Sequence, residues 1–268
     1  MNSNEKKMVE ILERGKQNYG VVSVKAEFEA EGTRMDELLR LVEITRAANL
    51  PITVKIGGCE AIRDLLEAKQ IGVRYIVAPM VESGYALEKY IAAKNLIYSP
   101  EERDDMKFLF NMETIQAFQS RDELLQIAAQ KDGVQGVVFG RVDFVGSMKF
   151  GRDRIEDLEV TDMVLKISEI CKENNLDLVV GGAISATSIP NLKRIAATKL
   201  TRFETRKVVF NGQAVLESNL EMGLLNAVHF ELLWLVNKKN YYSQISSEDN
   251  KRIEMLENRW KVLNRPVL

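Results

Sequence analysis

Two spacings of apolar residues take turns along this chain. Short apolar runs of strand length recur in Gly20–Phe28 (GVVSVKAEF), Ile52–Gly57 (ITVKIG), Arg74–Val81 (RYIVAPMV) and Lys107–Glu113 (KFLFNME). They continue in Gly136–Phe144 (GVVFGRVDF), Leu176–Ala183 (LDLVVGGA) and Arg206–Phe210 (RKVVF). Between them, Arg34–Asn49, Cys59–Ile71, Tyr85–Asn95, Ser120–Gln130, Thr161–Asn175 and Ser188–Ala197 repeat apolar residues at three- and four-residue steps. That is the period of a helix with one buried face. Strict alternation of strand and helix predicts parallel strands joined by right-handed crossovers. Two architectures satisfy it, a closed (β/α)8 barrel of the TIM type and a doubly wound open sheet. No GxGxxG follows the first strand, and polar residues end nearly every strand, where barrel sites are built. The α/β barrel is therefore the predicted fold. Seven strands are legible where a closed barrel needs eight. Either one strand is too weak in pattern to read, or the barrel is irregular near its N-terminus.

No Pro-, Ser- or Gly-rich linker divides the first 210 residues, so residues 1–212 are predicted to form one barrel domain. After Phe210 the strands stop. Ala214–Lys239 and Glu248–Leu263 read as two helices separated by the polar NYYSQISSED, giving a helical extension over residues 213–268. Leu233, Trp234 and Leu235 make the first of these apolar on more than one side. Such a helix packs on the barrel or on a neighbouring subunit, and a homo-oligomer is expected.

Composition removes whole classes of function. A hydrophobic fraction of 46% and a charged fraction of 28% suit a globular chain with a full core. A formal net charge of -2, with basic residues scattered, leaves no footprint for nucleic acid or anionic membrane. No apolar run is long enough to cross a bilayer; the closest, NAVHFELLWLV, is interrupted by Glu231. Met1–Tyr19 is charged and helical in pattern, without the apolar core of a signal peptide. Cys59 and Cys171, the two cysteines, form no CxxC or zinc-like spacing. The expectation is a cytoplasmic protein with reduced thiols.

The candidate chemistry sits at strand ends. Side chains alternate sides along a strand, so Leu109, Asn111 and Glu113 share one face, and Phe139, Arg141 and Asp143 share another. If both faces point inward, the carboxylates of Glu113 and Asp143 meet at the barrel mouth. Like charges there repel unless a cation lies between them. Two carboxylates that leave other positions to water and substrate suit Mg²⁺ or Mn²⁺. The alternative is that Glu113 pairs with Lys55 or Arg141 and binds no metal.

Four stretches in order resemble the HpcH/HpaI aldolase and citrate lyase β-subunit family, metal-dependent (β/α)8 enzymes. They are TVKIGGCEAIRDLLEAKQIGVRYIVAPMVES, which spans two of them, then NMET and FGRVDFVGSMKFG. The first is similar to the family's strand with a basic residue, then a helix and a Pro-x-Val-(Glu/Asp)-(Ser/Thr) strand end. NMET resembles its (I/V)-E-T strand, and FGRVDFVGSMKFG its G-x-x-D-L-x-x-x-x-G segment. The resemblance covers roughly residues 21–210. It implies that Glu113 and Asp143 are the metal ligands and that a pyruvate- or oxaloacetate-type 2-oxo acid chelates the metal. Lys55 takes the place of a family arginine at the keto or enolate oxygen, keeping the charge but losing the fork. Gly140 and the backbone near Pro79, Met80 and Val81 would line the pocket. The implied activity is carbon–carbon cleavage by a lyase or aldolase, or the reverse condensation, through an enolate.

The departures are specific. Where the family has Asp-x-Glu-His, this chain has Lys25-Ala26-Glu27-Phe28, so the usual histidine base is absent. Glu27, Glu29 or a metal-bound water could replace it, and Glu27 stands under the family glutamate. His229, the one histidine, lies in the late helical segment and reads as structural. Arg141 replaces a family proline; it would bind a substrate phosphate or carboxylate, or balance Asp143. VVGGAISATS reads as a tight glycine turn or an anion site at a helix start. In RFETRKVVF, Glu204 and Arg206 fall on one strand face and are expected to pair. Two other readings stand beside the metal lyase: a Schiff-base aldolase using Lys25 or Lys55, and an altered barrel that serves as a binding or assembly subunit.

Overall fold

The computed structural model describes residues 1–263. Its strands close into one barrel in chain order: β1 (Val21–Glu27), β2 (Ile52–Lys55), β3 (Tyr75–Ala78), β4 (Lys107–Met112), β5 (Gly136–Gly140), β6 (Asp177–Gly181), β7 (Arg202–Glu204) and β8 (Val208–Asn211). The helices are α1 (Ser3–Asn18), α2 (Met35–Ala47), α3 (Ile62–Ile71), α4 (Gly84–Ile97), α5 (Pro100–Asp104), α6 (Ile115–Gln119) and α7 (Arg121–Ala128). They continue as α8 (Arg141–Ser147), α9 (Leu158–Glu173), α10 (Ile189–Ala196) and α11 (Leu220–Leu263). The eight-stranded α/β barrel is the predicted fold, and its seven expected strands are all present.

The strand that escaped the reading is β7. RFETRKVVF is not a single strand but a hairpin: β7 and β8 run antiparallel, with Phe203 opposite Phe210. Thr205 closes the turn, its N–H and Oγ1 both donating to the Val208 carbonyl. As a result β8 is antiparallel to β1 as well, and a register shift lies between Val21 and Ser23. The barrel is thus parallel from β1 to β7 and irregular at its seam.

Two further expectations are corrected. The chain leaves β5 at Gly140 and turns at once into α8, so Arg141 and Asp143 lie on a helix. Val138 and Gly140, not Phe139 and Arg141, face inward; Phe139 packs outside against Phe144, with ring centroids 4.7 Å apart. The C-terminal extension is one 44-residue helix rather than two. NYYSQISSED contains no Gly or Pro, so nothing in the backbone interrupts the helix there. Residues 264–268 of the expected extension lie outside the described residues.

Two apolar layers hold the barrel. Val77, Leu109, Val138 and Val179 fill its lower interior, and Tyr75 packs against them. The outward faces of the strands pack on the helices in a continuous core that runs from Met8 to Trp234. Above the interior plug the inward positions become polar or lose their side chains: Lys25 and Glu27, Lys55, Asn111, Gly140, Gly181 and Glu204. Period-two alternation places each of them on the same side as the plug. That change of chemistry along the barrel axis creates the site.

Candidate active site at the barrel mouth

A cavity of about 460 Å³ opens at the carboxyl ends of the parallel strands. Lys25, Glu27, Lys55, Asn111, Glu113 and Asp143 line it, and Arg152, Glu204, Arg206 and Glu231 add to its polar wall. A larger groove of about 630 Å³ runs outside the barrel between α1, α2 and α11. Its acids are already engaged, Glu5 with Arg40 and Glu37 with Lys238, so it offers little unspent chemistry. The mouth cavity does.

Glu113 follows β4 directly and is only 3% exposed. Its Oε1 accepts the Met80 N–H at 2.9 Å, and its Oε2 accepts the Asn111 side-chain amide at 2.7 Å. Met80 is held at φ 50°, a conformation disfavoured for a side chain larger than glycine, and this turns its N–H onto the carboxylate. Gly140 leaves room beside it; a Cβ there would stand 2.9 Å from Glu113 Cβ and Oε2. Among the described residues no cation lies within ion-pair distance of Glu113. Burial, the largest influence, therefore raises its pKa, and Lys55, the Met80 N–H and the Asn111 amide only partly offset that. The charge of Asp143 adds to the rise.

Asp143 projects from the first turn of α8 and is exposed on the cavity wall, with no ion pair among the described residues. Asn111 Oδ1 is buried and accepts no hydrogen bond from the described residues. Such an orphaned acceptor costs about 1–3 kcal/mol unless something donates to it or coordinates it. An uncompensated buried carboxylate, an unpaired carboxylate and a spare amide oxygen together form a hard-oxygen donor set. It fits a cation such as Mg²⁺ or Mn²⁺ that keeps several waters or substrate oxygens. Among the described residues no group of three or more His, Cys, Asp or Glu could hold a metal, so any such ion would rest on few protein ligands.

The pairing of Glu113 with Lys55 or Arg141 does not occur. Lys55 ends β2 facing the cavity, and among the described residues its ammonium has no ion pair or hydrogen bond. Its charge is felt by both Glu27 and Glu113.

Arg141 stands elsewhere. Its side chain is 2% exposed and runs behind the wall, donating from Nε to the Gly181 carbonyl and from Nη2 to the Gly182 carbonyl and Ser188 Oγ. Its Nη1 meets both Glu156 oxygens at 3.1 Å. A guanidinium has five N–H donors, and these contacts occupy it, so the expected substrate contact and the balance of Asp143 are both replaced by a structural anchor. The VVGGAISATS turn is what it holds. Gly182 at φ +90° lets that backbone approach the start of α8; a Cβ would lie 2.7 Å from the Val142 nitrogen. Pro79 is buried, and neither Pro79 nor Met80 lines the cavity.

Glu204 was expected to pair with Arg206. Instead it reaches across the interior to Lys25, at 2.6 Å, and Lys25 also meets Glu27 at 3.1 Å. Arg206 and Lys207 both pair with Glu31 in the loop after β1. For Lys25 burial is the largest influence and opposes the charge, but Glu204 and Glu27 outweigh it and hold the pKa well above the lysine range. Lys25 is therefore a fixed ammonium, and an ammonium cannot attack a carbonyl. For Glu27 burial raises the pKa most, yet Lys25, Lys55 and Arg206 together bring it below the usual carboxylate range. Phe28, in the family histidine's place, packs against the apolar core. Glu29 is exposed away from the cavity, and His229 is exposed on α11.

Residues 29–189 match the model of the HpcH/HpaI aldolase/citrate lyase family. An HpcH/HpaI aldolase from Desulfitobacterium hafniense DCB-2 has a similar structure, with a TM-score of 0.61 and 16% identity over 76% of this chain and 83% of that one. An HpcH/HpaI aldolase/citrate lyase family protein from Burkholderia cenocepacia J2315 aligns with a TM-score of 0.58 and 14% identity, over 91% of this chain and 90% of that one. A variant of the citrate synthase SbnG aligns with a TM-score of 0.52 and 16% identity, over 74% of this chain and 81% of that one. At such identities the structural likeness speaks for the fold. No curated protein matches the chain in sequence.

Proposed function

This chain belongs to the HpcH/HpaI aldolase/citrate lyase family, and from that premise we propose that it is a metal-dependent carbon–carbon lyase acting on a 2-oxo acid through a pyruvate- or oxaloacetate-type enolate. The family suggests an aldolase- or citrate lyase-type enzyme. The observation that carries the finer reading is the set of unspent groups in one cavity. Among the described residues, Glu113 is buried without a cation, Asp143 and Lys55 are unpaired, and Asn111 Oδ1 is orphaned.

Glu113 and Asp143 would hold Mg²⁺ or Mn²⁺, which when bound supplies Lewis-acid polarisation of the 2-oxo group. Lys55 places an ammonium where the enolate oxygen gathers charge, stabilising the transition state more than the ground state. Glu27 is the proton carrier. It faces the cavity as a carboxylate, and it takes a proton from C3 of the substrate while the C–H electron pair moves into the enolate. Gly140 leaves a floor on which the substrate carboxylate can lie.

Pyruvate alone tests this, because enolisation needs no second substrate. In D₂O with Mn²⁺, the methyl protons of pyruvate should exchange at a rate proportional to protein. The chelator EDTA should stop the exchange, and added Mn²⁺ should restore it. Exchange that persists under chelation would remove the metal from the reading. Mn²⁺ and pyruvate binding with no exchange would mark a barrel that binds without turning over.

The protein is further proposed to self-associate through α11. Leu220, Leu224, Ala227, Phe230 and Trp234 face the chain's own core, whereas Leu225, Val228, Leu232 and Leu235 form a second apolar stripe that is more than half exposed. Three- and four-residue spacing makes that stripe a packing seam for a second copy. Sedimentation equilibrium should give a mass above the 30.4 kDa of one chain, and Leu232→Glu should reduce it; a wild-type monomer would refute the seam. No described helix is long and apolar enough to cross a membrane. The two free cysteines suit a reducing, cytoplasmic setting.

A further inference from the structure

Lys25, Glu27 and Glu204 form a buried ion chain across the barrel interior. The strands that carry it, β1 and β7, are not hydrogen-bonded neighbours; β8 lies between them. All three residues are between 7% and 8% exposed, and all three line the mouth cavity. Lys25 Nζ sits 2.6 Å from Glu204 Oε1 and 3.1 Å from Glu27 Oε1. Gly181 shapes the space for the far end, since a Cβ there would stand 3.1 Å from Glu204 Cγ.

Two carboxylates share one ammonium here. A buried charged triad contributes little stability compared with an apolar filling, so stability alone does not account for it. What it does is fix the electrostatic setting of one cavity-facing oxygen pair. We infer that Glu204, acting through Lys25, is a positioning residue that sets the proton affinity and orientation of Glu27. The inference rests on reading Glu27 as the proton carrier.

The other charges that face Glu27 are few. Lys55 comes from β2, and Arg206 and Lys207 come from the β7–β8 turn. Glu31 pairs with both members of the turn, and this ties the β1–α2 loop to the hairpin beside Glu27. None of those groups is held by an ion pair to Lys25 or Glu204; Arg206 and Lys207 are held by Glu31. Without Glu204, the ammonium belongs wholly to Glu27 and one nearby negative charge is gone, so Glu27 should hold its proton less tightly. Without Lys25, Glu27 loses its nearest cation while the negative charge of Glu204 stays beside it, so it should hold its proton more tightly. A triad that only supported the fold would leave the acidic limb and kcat of proton exchange where they are in the wild type.

The test uses the full chain, metal-free, with ¹³C-labelled glutamate side chains and the Glu27 resonance assigned from Glu27→Gln. In Lys25→Met the Glu27 titration should move up by about one pH unit or more, and in Glu204→Gln it should move down. With pyruvate and Mn²⁺ as the probe, the acidic limb of C3 proton exchange should shift in the same two directions. Exchange in Glu204→Gln should fall about tenfold through kcat, with KM nearly unchanged. Shifts of the same sign, or no shift, would overturn the inference. If Lys25→Met does not fold, the downward shift in Glu204→Gln decides alone. Absence of exchange in the wild-type protein would count against the proposed function, while the titration would still judge the triad.

Discussion

Glu113→Gln should abolish metal-dependent pyruvate exchange and yet leave a protein at least as stable as the wild type. The loss is expected to be about a thousandfold or more, because Lewis-acid assistance supplies several kcal/mol and each 1.36 kcal/mol is tenfold in rate. Stability should move the other way for a local reason. Glutamine keeps an acceptor for the Met80 N–H, and its new amide donor can be met by Asn111, whose side chain need only flip to present the Oδ1 that now has no partner. The pH dependence follows from the direction of the pKa. A carboxyl whose pKa is raised on folding disfavours the folded state once it ionises, so the wild-type handicap is present above the folded pKa. It disappears below the unfolded value, near 4.5. With EDTA present, denaturant melts should therefore show the variant's advantage at pH 7 and none at pH 4. A variant that is inactive and also unstable at both values would mean that Glu113 is a packing element.

Arg141→Met should unfold at markedly lower denaturant, by about 3 kcal/mol. Removing one partner of a buried charged pair costs about 3–5 kcal/mol, and Glu156 is exposed enough to recover part of that from water. The lost contacts are the carbonyls of Gly181 and Gly182 as well as Glu156. Arg141→Lys should recover only a minor part, because an ammonium cannot reach both the carbonyl pair and the carboxylate as a planar fork does. An arginine that held substrate would behave differently. It would raise KM and leave the melt alone, and calorimetry beside pyruvate kinetics separates the two outcomes.

The β4 face shows how a site can be read without a structure. Leu109, Asn111 and Glu113 lie inward because period two is local geometry and needs no partner strand. The same reasoning failed at β5, where apolar residues at 142, 144 and 145 satisfy both a strand and a short helix. Periodicity cannot separate the two over so few residues. The backbone decides, through the close approach of Gly182 to the start of α8. Asp143 still reaches the cavity, but from a helix. β7 was illegible for a different reason. Two of its three residues are charged, and they are tolerated inside only because Asp177 and Lys25 meet them from elsewhere in the chain.

By itself, the sequence determined the elements whose apolar period outlasts their ambiguity: the parallel strands, the amphipathic helices between them and the carboxylate at the end of β4. Those are properties of contiguous residues, set by backbone geometry and by water. The tertiary structure alone decided which charges are spent and which remain. Lys25 is neutralised by Glu204 from 179 residues away, Arg141 is consumed by the β6 turn, and Lys55 and Asp143 are left unpaired among the described residues. Charge pairing depends on distance in space, and barrel closure sets those distances between strands far apart in the chain.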